Sequence, residues 1–301
     1  MSGLAVDPLW PRAGQWGAPT GEEDVVVIGI PTESTSLSPT NAAGTPEAIR
    51  AALRRYSHDY VQHDGRPVHL GGLRIGDAGD LLDPDSEAGR QDAIATIRSL
   101  SSAPLLIALG GDNSATYPVA RATASGQEPR AGLITLDAHF DLRDGRSNGS
   151  PVRELLEAGH PGPQMVQIGI EDFANSSAYA SRAADAGITV IPRSAVSETS
   201  LDEVASRALT VAGGGGGPIH VDIDVDVCDR SVAPATPASL PGGLSAIELR
   251  RLVRLLAQHP QVRSIDITEI DHLADTPDGR TVRLAALLVL EILTGFALRS
   301  R

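Results

Sequence analysis

The chain has 301 residues, 41% hydrophobic and 21% charged, a balance that suits one large folded α/β unit and excludes a disordered tail protein. Its net charge of −13 argues against nucleic acid as a partner, and its 25 basic residues are all arginine, which removes the lysine needed by a P-loop, by pyridoxal chemistry and by Schiff-base chemistry. The single cysteine, Cys228, excludes an internal disulfide and any cysteine-based metal cluster.

In chain order, residues 1–22 read as an N-terminal arm, with Trp10 and Trp16 among its prolines. The arm lacks the basic and then apolar regions of a secretory signal, so the chain is expected in the cytoplasm. No apolar stretch is long enough to span a bilayer. Residues 23–301 then read as one domain. Apolar runs of strand length lie at 25–30, 105–109, 133–136, 165–170, 188–191, 219–225 and 262–267. Thr45 before Pro46 predicts a helix N-cap, and Ser245 with Glu248 predicts a capping box opening a helix over 247–256. A Leu- and Ala-rich segment over 281–298 predicts a buried closing helix, and the glycine run within 212–217 predicts a loop. Nearly continuous apolar strands alternating with helices predict a parallel sheet covered on both faces.

Ligands of such sheets bind beyond the carboxyl ends of the strands. Four of the runs lead there into polar residues: Asp112 and Asn113; Asp137, His139 and Asp141; Asp222, Asp224 and Asp226; Asp266 and Glu269. In extended chain, Asp137, His139 and Asp141 share one face, as do Asp224 and Asp226. Converging buried carboxylates without counter-charge cost several kcal/mol each. Divalent cations would neutralise them, and oxygen-rich Asp/His donors suit Mn²⁺. Two such ions, ~3.5–4 Å apart, would hold a hydroxide able to act in hydrolysis at neutral pH. A solvated acidic rim is the alternative.

Three motifs, Gly-Gly-Asp-Asn-Ser at 110–114, Asp-Ala-His-Phe-Asp at 137–141 and the Asp-rich run with Ala-Pro-Ala-Thr-Pro at 221–237, resemble the signatures of the ureohydrolase family of arginases and agmatinases. The resemblance implies a three-layer α/β/α fold with a mostly parallel sheet, a pair of Mn²⁺ ions and a homo-oligomer, trimer or hexamer. It implies that Asp137 and Asp224 bridge the metals, that Asn113 and Asp141 serve the first, that His139 and Asp226 serve the second, and that Asp229 is a support. It also implies that Glu269 pairs with the substrate's amidine or guanidine.

Two departures, together with the segment Glu171-Asp172-Phe173-Ala174-Asn175-Ser176 after the 165–170 run, most resemble the formimidoylglutamase branch of the family. Asn113 stands where the family usually has a histidine ligand, which predicts a weaker first metal site. Asn148 stands where arginase has its proton-shuttling histidine. Arg143, Asn148 and Arg146 are the expected substrate-binding residues: Arg143 suits a substrate carboxylate, which agmatine lacks, and Arg146 is the candidate for a second one. The expected reaction is hydrolysis of N-formimidoyl-L-glutamate to L-glutamate and formamide, with Asp141 passing the proton. An agmatinase-like or guanidino-acid ureohydrolase and a metal-depleted binding subunit are the alternatives. The other histidines (58, 63, 69, 160, 220, 259 and 272) fit no ligand spacing.

Overall fold

The computed structural model describes residues 7–58, 61–63 and 66–299. The beginning of the predicted arm and the side chain of His63 therefore lie outside the described residues. The strands are β1 (Val25–Ile30), β2 (Val61–His63), β3 (Arg66–Val68), β4 (Ile75–Asp80), β5 (Leu105–Gly110), β6 (Gly132–Leu136), β7 (Met165–Ile170), β8 (Thr189–Pro192), β9 (Ile219–Asp224) and β10 (Val262–Thr268). β2 and β3 form a small antiparallel hairpin. The other eight make one parallel sheet in the order β4-β1-β5-β10-β9-β6-β7-β8. The helices are α1 (Thr45–Leu53), α2 (Glu87–Ser99), α3 (Thr116–Ala124), α4 (Pro151–Glu157), α5 (Ser177–Asp185), α6 (Arg193–Glu198), α7 (Leu201–Ala212), α8 (Ala246–Ala257) and α9 (Arg280–Ala297). None of the described helices is long and apolar enough to cross a membrane.

All seven apolar runs are strands, each within a residue or two of its expected ends. The eighth, β4, has the sequence Ile-Gly-Asp-Ala-Gly-Asp, whose polarity conceals it. It lies at the sheet margin, where Arg50 of α1 bridges Asp77 (2.7 Å) and Asp80. From the arm, Gly17 forms an isolated bridge to Gly76 on the same strand. The capping box of Ser245 and Glu248 is present. Thr45 is not an N-cap: Gly44 takes that position, and the Thr45 hydroxyl instead donates to the Ile270 carbonyl (2.5 Å), tying α1 to the loop after β10.

The sheet separates α1, α7, α8 and α9 on one face from α2, α3, α4 and α5 on the other, giving three layers. Towards α8 and α9 the central strands present only apolar side chains, among them Leu105, Ile107 and Leu109 of β5, with Val221, Ile223, Ile265 and Ile267. Each such aliphatic group contributes about 1.5–3 kcal/mol by leaving water. On the opposite face β9 carries His220, Asp222 and Asp224, paired in register with Ser264, Asp266 and Thr268 of β10. All six are buried. This polar stripe runs under α3 and ends at the carboxyl edge of the sheet.

Candidate metal centre

Tight turns at the strand ends, and not extended chain, gather the acidic residues. After β6 the His139 amide donates to Asp137 Oδ1 (2.6 Å), and Asp141 adopts φ +52°. β9 stops at Asp224, whose Oδ1 accepts from the Asp226 amide (2.8 Å) as a short 3-10 turn begins. The shared-face periodicity expected for 137–141 and for 224–226 is thus replaced by side-chain-to-backbone hydrogen bonds, with the same residues brought together. Ligand atoms of Asp137, His139 and Asp226 lie within 4.8 Å of one another. His139 Nδ1 is 2.9 Å from Asp226 Oδ2 and 3.5 Å from Asp137 Oδ1.

The electrostatics show a shortage of positive charge. Burial, then the charge of Asp226, pushes Asp137 up to about 6. Burial followed by neighbouring carboxylates drives Asp141, Asp222 and Asp224 well above the usual carboxylate range. Burial alone would lower the His139 imidazole, but Asp226 and Asp137 push it up to about 12. Burial would likewise raise Asp226, yet His139 holds it low. Asp137 Oδ2 is buried with no hydrogen-bond partner among the described residues. An oxygen-rich donor set with an orphaned carboxylate oxygen fits a divalent cation such as Mn²⁺.

Asn113 opens the turn between β5 and α3. Two residues before it stands Gly111, where a Cβ would meet the Thr32 carbonyl at 1.9 Å, so only glycine lets the loop pass. Its side-chain oxygen accepts from Thr116 (2.8 Å) and Thr268 (2.9 Å), while its Nδ2 donates to Asp141 Oδ2 (2.6 Å). The two hydroxyls hold the amide with its nitrogen towards the acids. Its oxygen, expected from the sequence as a metal ligand, is already engaged.

Glu269, at φ +64°, follows β10. Its Oε1 accepts from the Asn113 amide (2.8 Å) and from Asn148 Nδ2 (2.7 Å), and Asn148 Oδ1 in turn accepts from the Leu37 amide (3.0 Å). Burial and the charge of Asp112 outweigh these hydrogen bonds and push Glu269 up to about 8. A cavity of about 250 Å³ lies above the cluster, with His139, Asp141, Asp224 and Asp226 in its walls beside Glu269 and Asn148.

Arg143 is exposed and lines this cavity. A Cβ at position 149 would come within 2.8 Å of its Cδ, so Gly149 leaves room for the side chain. Arg146 is not among the cavity residues. Its Nη2 donates to the Asp85 carbonyl (2.7 Å) and its Nη1 lies 3.5 Å from Glu87, so the expected second substrate cation is spent on the loop before α2. Sequence reasoning did not single out Leu37, Ser38 or Tyr179, which also line the cavity. They come from segments with no motif of their own. Asp229 is bound to Ser231 and to the Gly242 amide, a loop-ordering role.

Comparisons with known proteins give the family and the fold. The Arginase family model matches residues 23–295, and the chain belongs to that family. A formimidoylglutamase of Halalkalibacterium halodurans is 33% identical over 284 residues, covering 91% of this chain and 88% of the relative. The crystal structure of formimidoylglutamase from Bacillus subtilis superposes with a TM-score of 0.91 at 30% identity, covering 100% of this chain and 96% of that one. Formiminoglutamase of Trypanosoma cruzi, solved with Mn²⁺, shares the fold at a TM-score of 0.87 and 24% identity, over 96% of this chain and 99% of that one.

Proposed function

We propose that this member of the arginase family is a manganese-dependent hydrolase that converts N-formimidoyl-L-glutamate and water to L-glutamate and formamide. The observation that carries the proposal is one cavity holding three things: a cation-poor Asp/His cluster, a buried glutamate and an exposed arginine. The formimidoylglutamase relatives support the same substrate.

Asp137, His139, Asp141, Asp224 and Asp226 are the residues that would hold a pair of Mn²⁺ ions, and ligand atoms of three of them already lie within 4.8 Å of one another. The engaged oxygen of Asn113 supports weaker binding of the first ion. When bound, manganese lowers the pKa of a coordinated water so that it can attack at neutral pH. The chain's own residues place the substrate. Glu269, fixed by the Asn113 amide and by Asn148, pairs as a carboxylate with the cationic formimidoyl group. Asn148 thus acts through Glu269. Arg143 grips a substrate carboxylate and sets the register of the chain along the cavity. Asp141, with Oδ2 held by Asn113, offers Oδ1 to carry a proton to the departing amine nitrogen as its C–N bond breaks.

Agmatine offers no carboxylate to Arg143, which disfavours an agmatinase. The arrangement as a whole disfavours a metal-depleted binding subunit. A cytoplasmic homo-oligomer completes the proposal, with residues 1–22 as an arm on one catalytic domain, 23–301. The test is turnover of a substrate panel by Mn²⁺-loaded protein. Formamide from formimidoylglutamate is expected, and urea from arginine or agmatine without formamide would refute the assignment.

A further inference from the structure

The polar stripe beneath the cluster contains a histidine that fits no ligand spacing. His220 is 2% exposed on β9, between apolar neighbours. Its Nδ1 is 2.7 Å from Ser264 Oγ and its Nε2 is 3.2 Å from Asp266 Oδ2, both on β10. Ser264 Oγ lies 2.6 Å from Thr123 Oγ1, and Thr123 donates to the Val119 carbonyl one turn back in α3 (2.8 Å).

Counting hydrogens along this chain fixes its direction. Thr123 has one hydroxyl hydrogen and spends it on Val119, so Ser264 must donate to Thr123. Ser264 then has only lone pairs left for His220, so Nδ1 carries a hydrogen. One further hydrogen sits between Nε2 and Asp266. On the far side, Asp266 Oδ1 and both oxygens of Asp222 find no donor among the described residues beyond the contact between the two acids themselves, which are register partners. Besides its carboxyl-to-carboxyl contact with Asp222, Asp266 is held by His220, which through Ser264 also ties β9 and β10 to α3.

Each tied element supplies part of the centre one layer higher: Asp224 follows Asp222 on β9, and Thr268, which holds the Asn113 oxygen, follows Asp266 on β10. We propose that His220 is a positioning residue for the metal centre, clamping Asp266 so that β9 and β10 stay paired beneath Asp224 and Thr268. Without it, two buried acids face each other across the strand pair, and the layer carrying Asp224 shifts. This inference rests on the Asp/His cluster binding Mn²⁺, but not on the identity of the substrate.

The test is MnCl₂ titration by calorimetry of the chelator-treated full chain, with circular dichroism to verify folding. His220→Leu is expected to bind Mn²⁺ ~10–100-fold more weakly while keeping its secondary structure, as loss of supporting partners commonly does. Ser264→Ala, a smaller change, is expected to weaken binding several-fold and serves if His220→Leu does not fold. Asp266→Asn, which keeps a bridge to the imidazole, is expected to retain more affinity than His220→Leu. Nitrogen-15 spectra of the wild type should show Nδ1 of His220 protonated. Wild-type Mn²⁺ affinity in folded His220→Leu or in Ser264→Ala overturns the proposal, as does an unprotonated Nδ1. Mn²⁺ binding without turnover of formimidoylglutamate would refute only the substrate assignment.

Discussion

Two buried acidic regions of this molecule are balanced in opposite ways. Glu291 on α9 is 4% exposed and receives Arg250 Nε at 2.8 Å and Arg254 Nε at 2.6 Å from α8. The arginines are four residues apart, one helical turn, so one carboxylate is flanked by two cations from the same face. At the carboxyl edge of the sheet, Asp137, Asp141, Asp224 and Asp226 are buried just as deeply, and among them only His139 contributes positive charge. The chain supplies arginine where a charge holds two helices together, and withholds it where a charge must bind something else. A buried acid therefore signals function only when its counter-ion is missing.

The largest test of this contrast is to remove one of the unbalanced acids. Asp224→Asn should abolish Mn²⁺ binding and lower kcat/KM by ~10³-fold. In chelator it should leave the melting temperature unchanged or raise it, because one repelling charge has gone. A clear loss of stability in chelator would break the comparison.

His160 sharpens it with a buried base. Burial, then Arg121, lowers its imidazole from 6.5 to about 4. The folded-state value lies below that of the unfolded chain, so the neutral ring stabilises fully above about pH 6.5, and that contribution is lost as the pH falls towards 4. The loss should reach up to ~3 kcal/mol, and urea unfolding of His160→Gln between these pH values should show a flatter profile.

Arg143→Ala should raise KM for formimidoylglutamate ~10–50-fold with kcat changed much less, since a charged hydrogen bond contributes roughly 1.5–3 kcal/mol. Equal losses in both constants would place Arg143 in the chemical step. The smallest effect belongs to the balanced region. Glu291→Gln should cost ~1–2 kcal/mol of stability, discounted because both arginines are partly exposed, and leave steady-state kinetics with saturating Mn²⁺ unchanged.

The sheet was legible because strands buried on both faces write continuous apolar runs, and β4 escaped because a marginal strand need not. The acidic residues were legible because they follow those runs directly. Their geometry was not: it depends on Asx-type turns and on two left-handed residues, Asp141 and Glu269, where periodicity gives no guidance. The orientation of Asn113 was hidden as well, since it is set by hydroxyls on α3 and on β10, the latter 155 residues away in the chain. Arg146 shows the converse limit, for a cation near a motif is drawn to the nearest free carbonyl.

The margins of the sheet have a consequence for assembly. Parallel strands this apolar would template filament growth if either flank offered a bare row of amides and carbonyls. One flank is β4, salt-bridged through Arg50 and bridged by Gly17; the other is β8, four residues long and ending in Pro192. Strand addition is thereby disfavoured at both ends, so any contact between copies of this chain would have to run through its helices and loops.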